Sequence, residues 1–318
     1  MSLLCPNCHS NPNGSGPPAK VVLHGSFQRR SDQKSIQRYR CRGCGNCFSD
    51  ATESACVWQK KRHFNQRVME LLVSGVSQRR SAKILKLNRK TVVRKFLFLG
   101  RHAKELLPKL NSYFGKVQNM EFDDLETFEH SKLKPLSVPI AVEYKTRWIL
   151  GFRVSSMAAK GKLAALARKK YGPRADHRTI KREELFSEIK EFIDPNAEIK
   201  SDQNPHYPAS VKKHFPNAKH KTFKGRRGCV VGQGELKRGG FDPIFSLNHT
   251  CAMLRANINR LFRRTWCTTK LADRLEFHIA LYALYHNLVL IKKRPMNSAQ
   301  PLPLLLPTAD WLPLAMLR

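Results

Sequence analysis

Two cysteine pairs at one internal spacing, Cys5-Pro-Asn-Cys8 and Cys41-Arg-Gly-Cys44, constrain what this chain can fold into more than any other feature. The CxxC knuckles are separated by short alternating runs, Val21 to Phe27 and Ile36 to Tyr39. That pattern can bring four thiolates to one tetrahedral Zn2+, the geometry of a zinc ribbon. Cys5, Cys8, Cys41 and Cys44 are the expected zinc ligands, with Cys47, which extends the second knuckle to CxxCxxC, as the alternative to Cys44. Cys56, Cys229, Cys251 and Cys267 read as small buried hydrophobes. Five of the nine cysteines fall in the first 47 residues in close sets. A secreted disulfide framework spreads its cysteines more evenly, so the expected setting is a reducing, cytoplasmic one.

Charge narrows the partner. With 58 Lys+Arg against 24 Asp+Glu, the 318-residue chain carries a net charge of +34. The expected partner is a polyanion, with nucleic acid ahead of an anionic membrane surface. A hydrophobic fraction of 41% excludes a disordered basic tail and fits two or three domains. No signal peptide opens the sequence, and the apolar run Phe277 to Ile291 contains His278, His286 and Asn287. It reads as a buried helix, with no membrane partner expected.

From about Phe64 to Leu106 the pattern is helical. Val68, Leu71 and Leu72 share one face, Gly75 supplies a turn, and Ser77 caps a helix with Ala82, Ile84 and Leu85 as its apolar positions. Asn88 marks a second turn and Arg89 starts a third helix. This is the spacing of a helix-turn-helix, whose last helix offers Arg89, Lys90, Arg94 and Lys95 to DNA. A three-helix scaffold with a solvated basic face is the alternative reading.

Beyond residue 117 the character becomes α/β. Three strands are expected at Val117 to Phe128, Ser137 to Glu143 and Trp148 to Val154, and helices at Ala158 to Lys170 and Glu183 to Phe192. A further strand, Ala197 to Ser201, leads to Asp202. Three consecutive strands, a helical crossover and a strand ending in Asp is the order of a ribonuclease H-like domain. Lys169 to Arg182 reads as a charged insertion and Gly225 to Gly240 as a Gly-rich one, followed by long helices at Phe245 to Trp266 and Leu271 to Ile291. The expected organisation is zinc ribbon 1–55, helix-turn-helix 60–110, catalytic domain 117–292 and Pro/Leu-rich tail 293–318.

Met120-Glu-Phe-Asp-Asp-Leu-Glu-Thr-Phe128 puts several carboxylates on one strand of a strongly basic chain. A carboxylate facing a phosphate backbone repels it unless a divalent cation intervenes, and two-metal phosphoryl transfer requires converging acidic ligands. Asp123 and Asp202 are the candidates, as Mg2+ or Mn2+ ligands. Alternation along the strand puts Glu121, Asp123 and Leu125 on one face and Phe122, Asp124 and Glu126 on the other. His206, Tyr207 and His249 read as packing or phosphate-contact residues, since two-metal chemistry needs no dedicated side-chain base. Arg255, Arg260, Arg263 and Arg264 recur at helical spacing, along a phosphate backbone or on a solvated face.

Three segments in order carry a more specific resemblance: Glu121-Phe-Asp-Asp-Leu-Glu-Thr-Phe128, Ser201-Asp202, and the run from Asn248 through Leu254-Arg255 to Arg263-Arg264-Thr265. The chain resembles bacterial insertion-sequence transposases of the insertion-sequence-one (InsB-type) group, DDE enzymes with a zinc ribbon, a helix-turn-helix and a ribonuclease H-like catalytic domain. The resemblance runs from Cys5 to about Asn287. It implies Asp123 as first acid, Asp202 as second, and DNA cleavage followed by strand transfer by a dimer or higher oligomer on the element ends. The family's third acid, a Glu, is matched here by Asn248. An amide oxygen ligates Mg2+ with one charge fewer; Glu235, about thirty residues after Asp202, is the competing third ligand. Two other functions stay open: a DNA-binding regulator or inactive copy, and a nuclease without strand transfer.

Overall fold

A computed structural model describes residues 4–9, 20–31, 33–52, 54–224, 242–262 and 266–291. Cys229, Glu235, the rest of the Gly-rich insertion to Gly240, Arg263, Arg264 and the Pro/Leu-rich tail lie outside the described residues. The chain divides into two compact units with the boundary between Arg67 and Val68.

The first unit is a three-stranded antiparallel sheet, β1 (Val21–Gln28), β2 (Ser35–Cys41) and β3 (Cys47–Ser49), in that order, with the short helix α1 (Pro6–His9) before it. Gly25, in the left-handed region at φ 74°, lies in the bulge that shifts the β1–β2 register. Tyr39 and Cys41 point inward from β2, and Ile36 is also buried. Among the described residues, Cys5, Tyr39, Cys41 and Phe48 form a small buried core around the knuckles, with Val21 packed against it. Cys56 is buried and receives the Asn65 amide on its sulfur at 3.3 Å, the structural role expected of it.

The second unit opens with helices α2 (Asn65–Val73, its first three residues belonging to the first unit), α3 (Gln78–Ile84) and α4 (Arg89–Asn111). The turn chemistry follows the residues. Gly75 takes φ 77°, the Ser77 hydroxyl accepts the Arg80 N–H at 3.3 Å, and Asn88 Oδ1 accepts the Lys90 N–H at 2.8 Å.

A six-stranded mixed sheet follows: β4 (Val117–Phe128), β5 (Pro135–Glu143), β6 (Ile149–Phe152), β7 (Ser155–Ser156), β8 (Ile193–Asp202) and β9 (Lys219–Phe223). The order is β6-β5-β4-β8-β9, with β7 also pairing β5; β4–β5 and β5–β6 are antiparallel, β4–β8 and β8–β9 parallel. The helical crossover from β7 to β8 contains α5 (Ala164–Tyr171) and α6 (Arg178–Ile189); α7 (Tyr207–His214) joins β8 to β9. Phe186 of α6 and Tyr207 of α7 pack on Phe122, so these two helices cover one face of β4. On the other face α8 (Phe245–Asn257) meets β4 through Glu121.

The two C-terminal helices are shorter than their apolar patterns suggest. The first ends at Asn257 because Ile258 turns to extended backbone and buries its side chain completely, and a 3-10 turn, Asn259–Leu261, follows. The second is α9 (Ala272–Tyr285) and continues as a π-helical turn, His286–Leu290. There Asn287 accepts the Ile149 N–H and donates to the Ile149 carbonyl, both at 2.9 Å, satisfying the backbone of β6.

Helices α4 and α9 meet at Gly100, where a Cβ would lie 2.5 Å from Phe277 Cβ and 2.9 Å from its carbonyl oxygen. Gly100→Ala is therefore expected to destabilise the second unit by about 1–3 kcal/mol, the cost of overpacking, read from urea denaturation midpoints.

Candidate active site and metal centres

Among the described residues, one group of three or more Cys, His, Asp or Glu side chains brings its ligand atoms within 4.8 Å of one another: Cys5, Cys8, Cys41 and Cys44. This cluster can hold a metal such as zinc. Cys5 and Cys44 sulfurs lie 3.6 Å apart, Cys8 and Cys41 3.8 Å. A tetrahedron of Zn–S bonds about 2.3 Å long has edges of about 3.8 Å, so the spacing fits. Cys44 is drawn down to about 6, chiefly by the Asn46 backbone N–H, while bonding to Cys44 and then Cys41 pushes Cys8 up to about 12. A divalent cation removes that conflict between neighbouring thiolates. Cys47 stands outside the four, exposed and directed at the Gly45 carbonyl at 3.9 Å.

The acidic strand brings a pair of aspartates together. The parallel β4–β8 pairing ends with Glu121 opposite Lys200; Asp123 and Asp202 each follow two residues later, and Asp123 feels the Asp202 charge. Asp123 Oδ1 accepts the Asp124 N–H at 2.7 Å and the Tyr207 hydroxyl at 2.9 Å, and Oδ2 accepts no hydrogen bond from the described residues. Asp202 Oδ1 accepts the Asn204 N–H at 3.0 Å, again leaving the other oxygen without a donor among the described residues. Each carboxylate is anchored by one oxygen. Burial, and then the neighbouring charge of Asp202, pushes Asp123 up to about 7.

Because Asp123 holds its proton more tightly folded than unfolded, its ionisation costs stability as pH rises from 3.8 to about 7. Asp123→Asn, which cannot ionise, should gain stability over the wild type across that window in chelator-treated protein. Melting curves of the two proteins at pH 4.5 and 7.5 check this; a constant difference between them contradicts it.

The neighbouring acids fall as the alternation requires. Glu121 is completely buried on the α8 side, where its carboxylate accepts the Leu247 N–H at 2.8 Å in the first turn of the helix. Its other oxygen is buried with no hydrogen bond from the described residues, and burial raises its pKa to about 7. Asp124 turns to the opposite face, its side chain 9% exposed and 3.8 Å from Arg182. Glu126 is exposed and pairs with Lys160 at 2.8 Å.

The third position differs in character. Asn248 is exposed in α8, and its amide nitrogen donates to Asp242 Oδ2 at 2.8 Å. No hydrogen bond joins it to Asp123 or Asp202. Cys251, one turn further along α8, does feel the Asp123 charge. Asp242 is a neighbour of the site that the sequence pattern does not single out. Its other oxygen accepts the Ile244 N–H at 3.1 Å, and its place just before an apolar helix is the signal that marks it as a turn-forming Asp.

The proposed DNA contacts separate by burial. Arg89, Lys90 and Arg94 are exposed at the start of α4, and Arg79, Arg80, Lys83 and Lys86 extend the exposed cations along α3 and the turn after it. Lys95 is 3% exposed, because it shares the inward stripe of Val92, Phe96 and Leu99. Arg255 is partly exposed on α8. Arg260 is carried off that helix onto the 3-10 turn, with its guanidinium over the Phe96 ring at 5.4 Å, and burial lowers its pKa to about 10. Tyr207 packs, as expected of it, but it also touches Asp123. His249 lies tilted against the Phe245 ring and 3.0 Å from the Arg147 guanidinium.

No family model matches the chain, and no curated protein matches it significantly. No helix among the described residues is long and apolar enough to cross a membrane.

Proposed function

We propose that the protein is a metal-dependent DNA transposase in which a zinc ribbon and a helix-turn-helix hold the element's ends and a ribonuclease H-like domain cuts and joins DNA. One observation carries the reading. Asp123 and Asp202 each lie two residues past the last β4–β8 pair, close enough for Asp202 to act on Asp123, each with one anchored oxygen and one that accepts no hydrogen bond from the described residues, in a chain of net charge +34. A buried acid that also feels a neighbouring carboxylate suits a cation, and the surrounding charge suits a polyanion.

In this reading Asp123 and Asp202 hold Mg2+ or Mn2+ through their unbonded oxygens, and Asn248 contributes its amide oxygen as third ligand, with Glu235 the competing candidate. The cation supplies Lewis-acid stabilisation of charge on the attacking and leaving oxygens. Hydrolysis of a phosphodiester breaks the bond from phosphorus to the 3′ oxygen and frees a 3′-hydroxyl. That hydroxyl then attacks a target phosphodiester, forming one phosphorus–oxygen bond as the target's own 3′ oxygen leaves. Arg89, Lys90, Arg94 and Arg255 neutralise backbone phosphates, and two protomers hold the two ends.

A second reading, a DNA-binding regulator descended from such an enzyme, is favoured by Asn248, an uncharged side chain already bonded to Asp242. Incubating the full chain with terminal-repeat duplex and Mn2+ separates the two. The enzyme nicks the duplex at its ends, whereas the regulator shifts it in a gel and leaves it intact. Loss of nicking in Glu235→Ala with full activity in Asn248→Ala would reverse the assignment of the third ligand.

A further inference from the structure

We propose that Tyr207, braced by Arg182, is a positioning residue that selects which oxygen of Asp123 is presented to a cation; the proposal rests on the metal-dependent reading above. The Tyr207 hydroxyl donates to Asp123 Oδ1 at 2.9 Å, and the Asp124 N–H donates to the same oxygen at 2.7 Å. With two donors on Oδ1 and none among the described residues on Oδ2, the carboxylate cannot rotate without giving up both bonds. Tyr207 is completely buried, and its hydroxyl faces a carboxylate oxygen, to which it donates.

Two side chains hold the ring. Phe122 packs on it at 4.8 Å, and the Arg182 guanidinium lies over it at 4.9 Å. Arg182 is 2% exposed, so its charge is spent inside the protein. Its Nε donates to Ser210 Oγ at 3.1 Å, Nη2 to the His206 carbonyl at 3.4 Å, and Nη1 lies 3.8 Å from Asp124 Oδ2. Ser210 and Tyr207 are both on α7, and Arg182 ties that helix to α6.

The turn into α7 starts at the second aspartate. Asp202 Oδ1 takes the Asn204 N–H, Asn204 Oδ1 takes the His206 N–H at 3.1 Å, and the Asn204 carbonyl takes the Tyr207 N–H at 3.1 Å. One hydrogen-bonded turn therefore carries both Asp202 and the hydroxyl that orients Asp123.

A purely packing role for Tyr207 predicts a change in stability alone. Positioning predicts a change in metal dependence. The test is Mn2+ titration of DNA nicking by the full chain as wild type, Tyr207→Phe and Asp123→Asn, with melting temperatures measured in parallel. Losing one hydrogen bond to a charged group, worth about 1.5 kcal/mol, should raise the half-maximal Mn2+ concentration of Tyr207→Phe about tenfold. The rate at saturating Mn2+ should be largely retained. An unchanged half-maximal concentration overturns the positioning role while the metal-dependent reading stands. Absence of nicking by the wild type, or full nicking by Asp123→Asn, overturns both. If Tyr207→Phe does not fold, Arg182→Lys replaces it, with a smaller shift expected in the same direction and no shift counting against the proposal.

Discussion

Asp123→Asn is expected to lower metal-dependent nicking at least about a thousandfold, since the cation it helps hold contributes several kcal/mol to stabilising transition-state charge. The substitution is nearly isosteric. An Asn side-chain oxygen can still accept from the Tyr207 hydroxyl and the Asp124 N–H, so the β4–α7 contact survives. Removing a buried charge beside Asp202 also relieves repulsion, so the variant should melt no lower than the wild type at neutral pH. DNA retention in a gel-shift assay should be unchanged, because the exposed cations Arg89, Lys90 and Arg94 are elsewhere in the chain. Asp202→Asn should lose nicking and keep DNA retention in the same way. Nicking within tenfold of the wild type by either variant would remove that aspartate from the chemistry.

Metal removal should unfold the first unit outright. Its core is Cys5, Tyr39, Cys41 and Phe48 with Val21 alongside, and two of those residues belong to the four-cysteine cluster. A domain this small buries too little apolar surface to hold a fold alone, whereas a structural zinc contributes about 10–16 kcal/mol of apparent binding free energy. Strong chelator should abolish amide protection across Val21–Ser49 while leaving the six-stranded sheet protected, as hydrogen exchange with peptide resolution would report. Cys41→Ser should do the same without chelator. Cys47→Ser should retain protection, since its sulfur lies outside the cluster; loss of protection there would make Cys47 a ligand.

Features written into local spacing are legible from the residues alone. The CxxC knuckles, the Gly75, Ser77 and Asn88 turns, and the strands leading to Asp123 and Asp202 each depend on a few neighbouring residues. What the residues do not disclose depends on partners far along the chain. Lys95 looks like one more base in a basic helix, and only the inward stripe it shares with Phe96 and Leu99 buries it. Arg260 keeps helical spacing with Arg255, but Ile258 enters the core and breaks the helix between them. Tyr207 lies 84 residues from Asp123, so no local pattern joins them. Asp242 bonding to Asn248 is likewise a property of the turn into α8 as folded.

Asp123 and Asp202 are proposed to hold one divalent cation between the oxygens that accept no hydrogen bond from the described residues. Anomalous diffraction from crystals of the full chain grown with Mn2+ tests it directly. The predicted result is a peak within ligand distance, about 2.0–2.2 Å for a small octahedral cation, of Asp123 Oδ2 and the Asp202 carboxylate. A peak at Glu121 or Asp242 with none between the two aspartates, or no peak in this region at saturating Mn2+, would contradict it.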